Sequence, residues 1–220
     1  AAEQMGLISV HYEQFDSVTA VSSTDAEFVA FIDTSQAFDT TTQGIIPGKV
    51  PLATCEGAQP CILPARREPI ATKPAIKKEL DRMVARDIIT PVNEPTDWVN
   101  QMSVQYRKNG KIRICLDPRP LNKVLKSEHY QQPVLEEVLP ELSKARVFSK
   151  LDLREGYFHC ELDENSSYLT TFATSFGRYR YKRLPYGINV SSDIFQRKLH
   201  QALEGLDGVN CIADDIVVSG

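Results

Sequence analysis

No uninterrupted apolar run in this 220-residue chain approaches the ~18 residues that a membrane-spanning helix needs. No charged, apolar and small-residue leader opens it either. Neither membrane insertion nor export is expected, and the chain reads as intracellular and cytoplasmic. Cysteines are few and odd in number: Cys55, Cys61, Cys115, Cys160 and Cys211 show no paired short spacing. That pattern argues against a zinc ribbon or a disulfide framework. Cys115, Cys160 and Cys211 read instead as reduced, small strand hydrophobes. There is one tryptophan, and there is no internal repeat of the kind that builds a solenoid. A basic excess is missing too, since the net charge is −4.

That net charge hides a division. Residues 1–60 hold one Lys or Arg against eight Asp or Glu, and residues 61–220 hold 24 against 21, so the two parts carry −7 and +3. Within 101–126 seven basic residues stand with Asp117 as the one acid, a local excess that attracts phosphates. The acidic part is rich in Ser, Thr, Ala and Gln and lacks sustained periodicity beyond an apolar patch at Leu7-Ile8-Ser9-Val10. It reads as a partly irregular tail or linker, with the main domain over 61–220.

Helices and antiparallel strands interleave along that domain. Pro74 opens a helix in which Ile76, Leu80, Met83 and Val84 recur at three- and four-residue spacing. Met102 to Tyr106 and Lys111 to Leu116 alternate as strands, joined through Asn109-Gly110, a strong hairpin signal. Pro133 to Leu142 reads as a short helix and Tyr157 to Leu162 as a strand. Leu169 to Thr174 and Arg178 to Arg183 form a second hairpin through Ser175-Phe176-Gly177, with Tyr179 and Tyr181 on one face. Ser191-Ser192-Asp193 caps a helix with an apolar stripe of Ile194, Phe195, Leu199, Ala202 and Leu203, which Gly205 stops. No regular βαβ alternation appears, so the fold class is α+β.

The chemistry concentrates in Asn210-Cys211-Ile212-Ala213-Asp214-Asp215-Ile216-Val217-Val218, where paired acids sit between two β-branched runs. This predicts a hairpin with carboxylates at its tip. A bare Asp-Asp pair commonly occupies a solvated turn, but a third acid, Asp152, closes the strand-like run Val147 to Leu153. Carboxylates converging from separate strands are what a two-metal phosphoryl-transfer site requires, since anions held so close need a cation.

These acids, together with Glu79-Leu80-Asp81-Arg82, Glu94-Pro95-Thr96-Asp97-Trp98-Val99, Asn109 through Arg119, Leu121-Asn122-Lys123, Leu151 through Tyr157, Leu169-Thr170-Thr171-Phe172, Phe176-Gly177-Arg178-Tyr179 and Leu184-Pro185-Tyr186-Gly187, form an ordered set. From about Pro64 to Gly220 the chain resembles the reverse transcriptases of gypsy-type long-terminal-repeat retrotransposons, and more distantly those of retroviruses. The resemblance implies the fingers and palm of a right-hand polymerase, an antiparallel palm sheet with packed helices. It implies transfer of deoxynucleotides to a primer 3′-hydroxyl on an RNA or DNA template. Two Mg²⁺ ions, or Mn²⁺, would be held by Asp152, Asp214 and Asp215, with the Leu153 carbonyl as a further ligand. Lys108 and Arg113 would meet the triphosphate, Tyr157 would lie beneath the incoming sugar, and Tyr186 and Gly187 would floor the nascent base pair. Asp117, Arg119 and Asn122 would fix the fingers and touch the template backbone, although Asp117 and Arg119 could equally be a structural ion pair.

Departures from the family pattern are also visible. Tyr186 replaces the retroviral Gln, and Ile212-Ala213 stand where many relatives carry an aromatic and a larger aliphatic. The chain stops five residues after Asp215. The resemblance therefore implies that the rest of the palm, the thumb, the connection and RNase H are missing here, and that a protease and an integrase belong to the parent polyprotein. A fragment truncated in this way is expected to polymerise weakly or not at all. The rival reading is a non-catalytic module that binds nucleic acid or protein. Asp33-Thr34-Ser35 after Phe31-Ile32 is set aside as a protease motif, because Ser35 replaces the required glycine and too little chain precedes it.

Overall fold

The computed structural model describes residues 8–13, 43–106, 110, 112–127, 130, 145, 147–212 and 215–220. The expected helix at Pro133 to Leu142 and the tripeptide Asp33-Thr34-Ser35 lie outside the described residues, as do Lys108, Asn109, Lys111, Ala213 and Asp214. The chain divides into two compact units, one of Ala1–Pro47, His129–His159 and Phe195–Gly220, the other of Gly48–Glu128 and Cys160–Ile194.

The first unit is built on a four-stranded sheet. Alternating apolar residues form β1 (Ile8–Glu13), β6 (Phe148–Leu153), β10 (Val209–Ile212) and β11 (Asp215–Ser219), in the spatial order β1-β6-β11-β10. The registers are antiparallel, and β10 and β11 close as a hairpin with Ile212 opposite Asp215. β1 falls on the apolar patch of the acidic stretch and pairs with β6, Val10 opposite Leu151. Helix α4 (Ser191–Leu203) contributes Phe195, Leu199 and Leu203 to this unit, all buried. Its residue Gln196 lies within 3.9 Å of the Cys211 thiol on β10, which fixes the helix against the strand.

The second unit holds β3 (Ile89–Val92), β8 (Phe172–Thr174) and β9 (Gly177–Tyr181) as a three-stranded sheet, and β4 (Gln101–Tyr106) with β5 (Ile112–Asp117) as a hairpin. Tyr179 and Tyr181 share the buried face of β9, and Phe172 packs on both rings at 6.0 and 5.3 Å. Burial pushes the Tyr181 phenol well above its ordinary pKa, and its hydroxyl donates to the Ile114 carbonyl. Asn100 ties the strands together. It is 1% exposed, its amide side chain donates to the carbonyls of Leu169 and Thr171, and its backbone pairs with Thr171 and Ala173. A buried amide is tolerated here because its hydrogen bonds are made.

Four sequence expectations shift in detail. In α1 (Lys73–Ala85) Ile76, Leu80 and Met83 are buried but Val84 is exposed. Val84 stands roughly 100° round the helix from Met83 and so leaves the narrow stripe. Tyr157 to Leu162 is not one strand: Gly156–His159 is a 3-10 turn, and only Cys160–Leu162 (β7) extends. Glu155 has φ 56° and its carbonyl accepts from Phe158 N, so the backbone reverses before the aromatic residues can extend. The segment before β8 is helical, α3 (Glu164–Leu169), because Asp163 accepts from Ser166 N at 2.7 Å as an N-cap. The short α2 (Arg119–Asn122) lies between α1 and α3 in the chain. Finally, Ser191 is the first residue of α4, where its hydroxyl donates to the Pro185 carbonyl instead of capping.

The 3-10 turn rests against α4 with no spare volume. A Cβ at Gly156 would lie 2.9 Å from the Phe195 ring, which is itself 1% exposed. Gly156→Ala is therefore expected to destabilise the chain by about 1–3 kcal/mol through overpacking, read as a fall in the urea midpoint at unchanged slope.

Candidate functional site

Two of the predicted acids, Asp152 and Asp215, fall on the four-stranded sheet of the first unit. Asp215 opens β11, and its register partner across the ladder is Asp152 on β6. Asp214, the residue before Asp215, lies outside the described residues. The Asp215 carboxylate is half-exposed, and its Oδ2 meets the Lys150 ammonium at 2.7 Å. Among the described residues no three His, Cys, Asp or Glu side chains form a metal-binding group, with Asp214 and the Asp152 carboxylate not among those described.

Leu153 follows Asp152 on β6 and is buried. Tyr157 lies on the 3-10 turn just beyond, its ring 5.3 Å from that of Phe195 and inclined at 58°. His159 holds the same turn through a 3.1 Å bond between its Nε2 and the Arg154 carbonyl. Tyr157 is thus fixed by α4 from below while keeping part of its surface in solvent.

In the second unit Arg113, Tyr186, Gly187 and Asn122 come together. Arg113 projects from β5, and its guanidinium carbon sits 4.4 Å from the centroid of the Tyr186 ring, a cation–π contact. Leu116 N on the same strand donates to the Tyr186 carbonyl at 2.9 Å. Gly187 has φ 108°, and a Cβ there would lie 1.9 Å from the Leu116 carbonyl oxygen, so only glycine fits. Asn122 closes the turn from the other side: its amide donates to Gly187 O at 3.0 Å, and its side-chain oxygen accepts from Asn189 N at 3.1 Å.

Asp117 and Arg119 do form an ion pair, 3.1 Å between Nε and Oδ1, but Asp117 also holds Arg66 at 2.7 Å. Arg66 in turn reaches Gln101, the register partner of Asp117. The Arg119 side chain remains largely exposed. Lys108, the remaining expected triphosphate ligand, lies outside the described residues.

A family profile for reverse transcriptase (RNA-dependent DNA polymerase) matches residues 104–220, more than half of the chain and both groups of residues just described. The chain belongs to the reverse transcriptase family. Among its relatives is the retrovirus-related Pol polyprotein from transposon 412 of Drosophila melanogaster, 32% identical over 160 residues, covering 70% of this chain and 13% of the polyprotein. The Pol polyprotein from transposon gypsy of the same organism is 28% identical over 219 residues, covering 96% of this chain and 21% of its own length. Among solved structures, a prototype foamy virus protease-reverse transcriptase superposes with a TM-score of 0.71 at 22% identity, over 87% of this chain and 26% of that one. A foamy viral protease-reverse transcriptase in complex with an RNA/DNA hybrid matches with a TM-score of 0.64 at 20% identity, over 74% of this chain and 22% of that one. These likenesses establish the polymerase fold. The chain spans between about an eighth and a quarter of the length of these four proteins.

Sequence reasoning missed two cations. Lys150 stands two residues before Asp152 on one strand, and a period-two reading puts both on the same face; that signal was available. Arg66 gave none, because its partner Asp117 is 51 residues away.

The Asn122 clasp sets the shape of the turn at 186–189, so Asn122→Ala should free two hydrogen bonds and cost about 1–3 kcal/mol. The expected signature is a loss of hydrogen-exchange protection at the Asn189 amide with the β8–β9 amides unchanged. Undiminished protection at Asn189 would show that the turn holds its shape without the clasp.

Proposed function

We propose that this chain carries the fingers and part of the palm of a retroelement reverse transcriptase, within 61–220, and that residues 1–60 link it toward a preceding protease. The proposed reaction is addition of a deoxynucleotide to a primer 3′ end on an RNA or DNA template, inside an intracellular retrotransposon particle. The remaining polyprotein domains, thumb, RNase H and integrase, would be partners in the parent protein. The observation that carries the reading is the register of β6 against β11, with Asp152 opposite Asp215 and Asp214 adjoining it. Residues directly opposed in an antiparallel pair share one face, with Cβ atoms about 4.5–5.5 Å apart.

The donor set suits a hard divalent cation, since carboxylate oxygens favour Mg²⁺ and Mn²⁺. Asp215 already accepts a cation, the Lys150 ammonium. Asp152, Asp214 and Asp215 would hold the ions, with the Leu153 carbonyl as a further ligand. Bound there, two divalent ions supply charge neutralisation and make the primer hydroxyl a better nucleophile.

The remaining residues bind and orient. Arg113 offers a planar donor fork to the triphosphate, already aligned by its contact with Tyr186. Lys108 would add a mobile point charge. Tyr157, held by Phe195, would present its edge to the sugar and exclude a 2′-hydroxyl. Gly187 would let the base pair approach the backbone, and Arg119, exposed beyond its ion pair, would reach a template phosphate. Asn122 acts through the turn, because its amide groups are engaged by Gly187 and Asn189.

Mn²⁺ binding to the 220-residue chain, followed by the paramagnetic signal of the free ion, tests the reading without demanding polymerase activity. Asp152→Asn and Asp214→Asn are each expected to weaken binding by at least roughly tenfold, the lower end of what even outer-shell partners of a metal contribute. In a primer-extension assay Asp214→Asn should abolish templated incorporation while retaining primer–template binding. Identical Mn²⁺ affinity in the parent and both variants would return the chain to the rival class of non-catalytic binding modules.

A further inference from the structure

We infer that Lys150 is a built-in counter-ion of the acidic cluster, a positioning residue that occupies Asp215 in the metal-free chain and must yield it to a divalent cation. The inference rests on the metal-binding reading above and extends it to a residue outside the set of acids. On β6, Lys150 and Asp152 are two residues apart and fall on the same face. Across the ladder Lys150 is opposite Val217, so its ammonium crosses diagonally toward the start of β11 to reach Asp215 Oδ2 at 2.7 Å.

Two features give this contact a function beyond an ordinary surface ion pair. First, it lies where like charges crowd: Asp214 and Asp215 are adjacent in sequence, and Asp152 opposes Asp215. Carboxylates gathered in this way repel one another unless a cation is present. Second, the pair is easily broken. Its two side chains are 57% and 39% exposed, so water screens the attraction and the bond is weak. A deeply buried lysine would exclude the metal outright, whereas this one lowers the affinity modestly and releases the carboxylate when a doubly charged ion arrives. Lys150 therefore keeps Asp215 oriented and paired between metal-binding events.

The sign of the effect separates this role from a structural one. Losing a residue that merely supports the strand would weaken metal binding; losing a competing cation strengthens it. In the full chain Lys150→Gln is expected to bind Mn²⁺ roughly two- to fivefold more tightly than the parent, the range of a half-exposed pair. Lys150→Arg, which keeps the charge, should restore the parent value, and the gain in Lys150→Gln should shrink at ~1 M salt, where the screening length falls to about 3 Å. A second readout is the rise in melting temperature on adding saturating Mn²⁺. It should be larger in Lys150→Gln, because ligand binding stabilises in proportion to the logarithm of affinity and the metal-free variant leaves Asp215 without its lysine. Equal or weaker Mn²⁺ binding in Lys150→Gln, with Asp152→Asn still impaired, would overturn the counter-ion role and leave the metal site standing. No Mn²⁺ binding by the parent would instead remove the metal reading, and this inference with it.

Discussion

The pairing of β6 with β11 is the constraint on which the proposed chemistry depends. Side chains alternate along a strand, so a slip of one residue would send an entire row to the opposite face. Asp152 and Asp215 come together only in the observed register, in which Leu151 opposes Ile216 and Lys150 opposes Val217. The hairpin β10–β11 reinforces that alignment through Ile212 opposite Asp215, and the backbone bonds between Val147 and Gly220 continue it at the far end. Register is therefore held by the β10–β11 pairing, by the apolar face and by the strand ends at once.

A different physical principle governs the second group of residues. Around Gly187 the determining term is steric: the backbone passes so near the Leu116 carbonyl that no side chain fits. Hydrogen bonds from Leu116 and Asn122 then hold the turn in that approach. Tyr186 is carried along and lies against Arg113, and the guanidinium is pre-aligned by a ring face. The Tyr186 ring gives Arg113 a cation–π contact worth about 0.5–2 kcal/mol depending on exposure.

Much of this was legible in the sequence where the signal was local. The hairpins at 101–117 and 209–219, the amphipathic helices and the strand ending at Leu153 follow from period-two and period-3.6 patterns, and the acids stand out because paired carboxylates between β-branched runs are chemically unusual. What escaped had non-local causes. The 3-10 turn at Gly156–His159 reads as a strand from its aromatic residues, and only Phe195, far along the chain, reveals that the glycine is needed for close packing. The helix Glu164–Leu169 is too short for periodicity to show and depends on the cap at Asp163. The clasp of Asn122 on a turn 65 residues away is likewise something no spacing rule anticipates.

The same alternation that gathers the acids explains how the fold tolerates them. Two like charges 4 Å apart cost between about 1 kcal/mol in water and about 4 kcal/mol at a partly shielded surface. Leu151, Leu153 and Ile216 occupy the intervening positions of the same two strands and are 7%, 6% and 1% exposed. Burying side chains of that size contributes about 1.5–3 kcal/mol each, so the apolar face outweighs the repulsion on the polar one. Lys150 lowers the repulsive side further through its contact with Asp215.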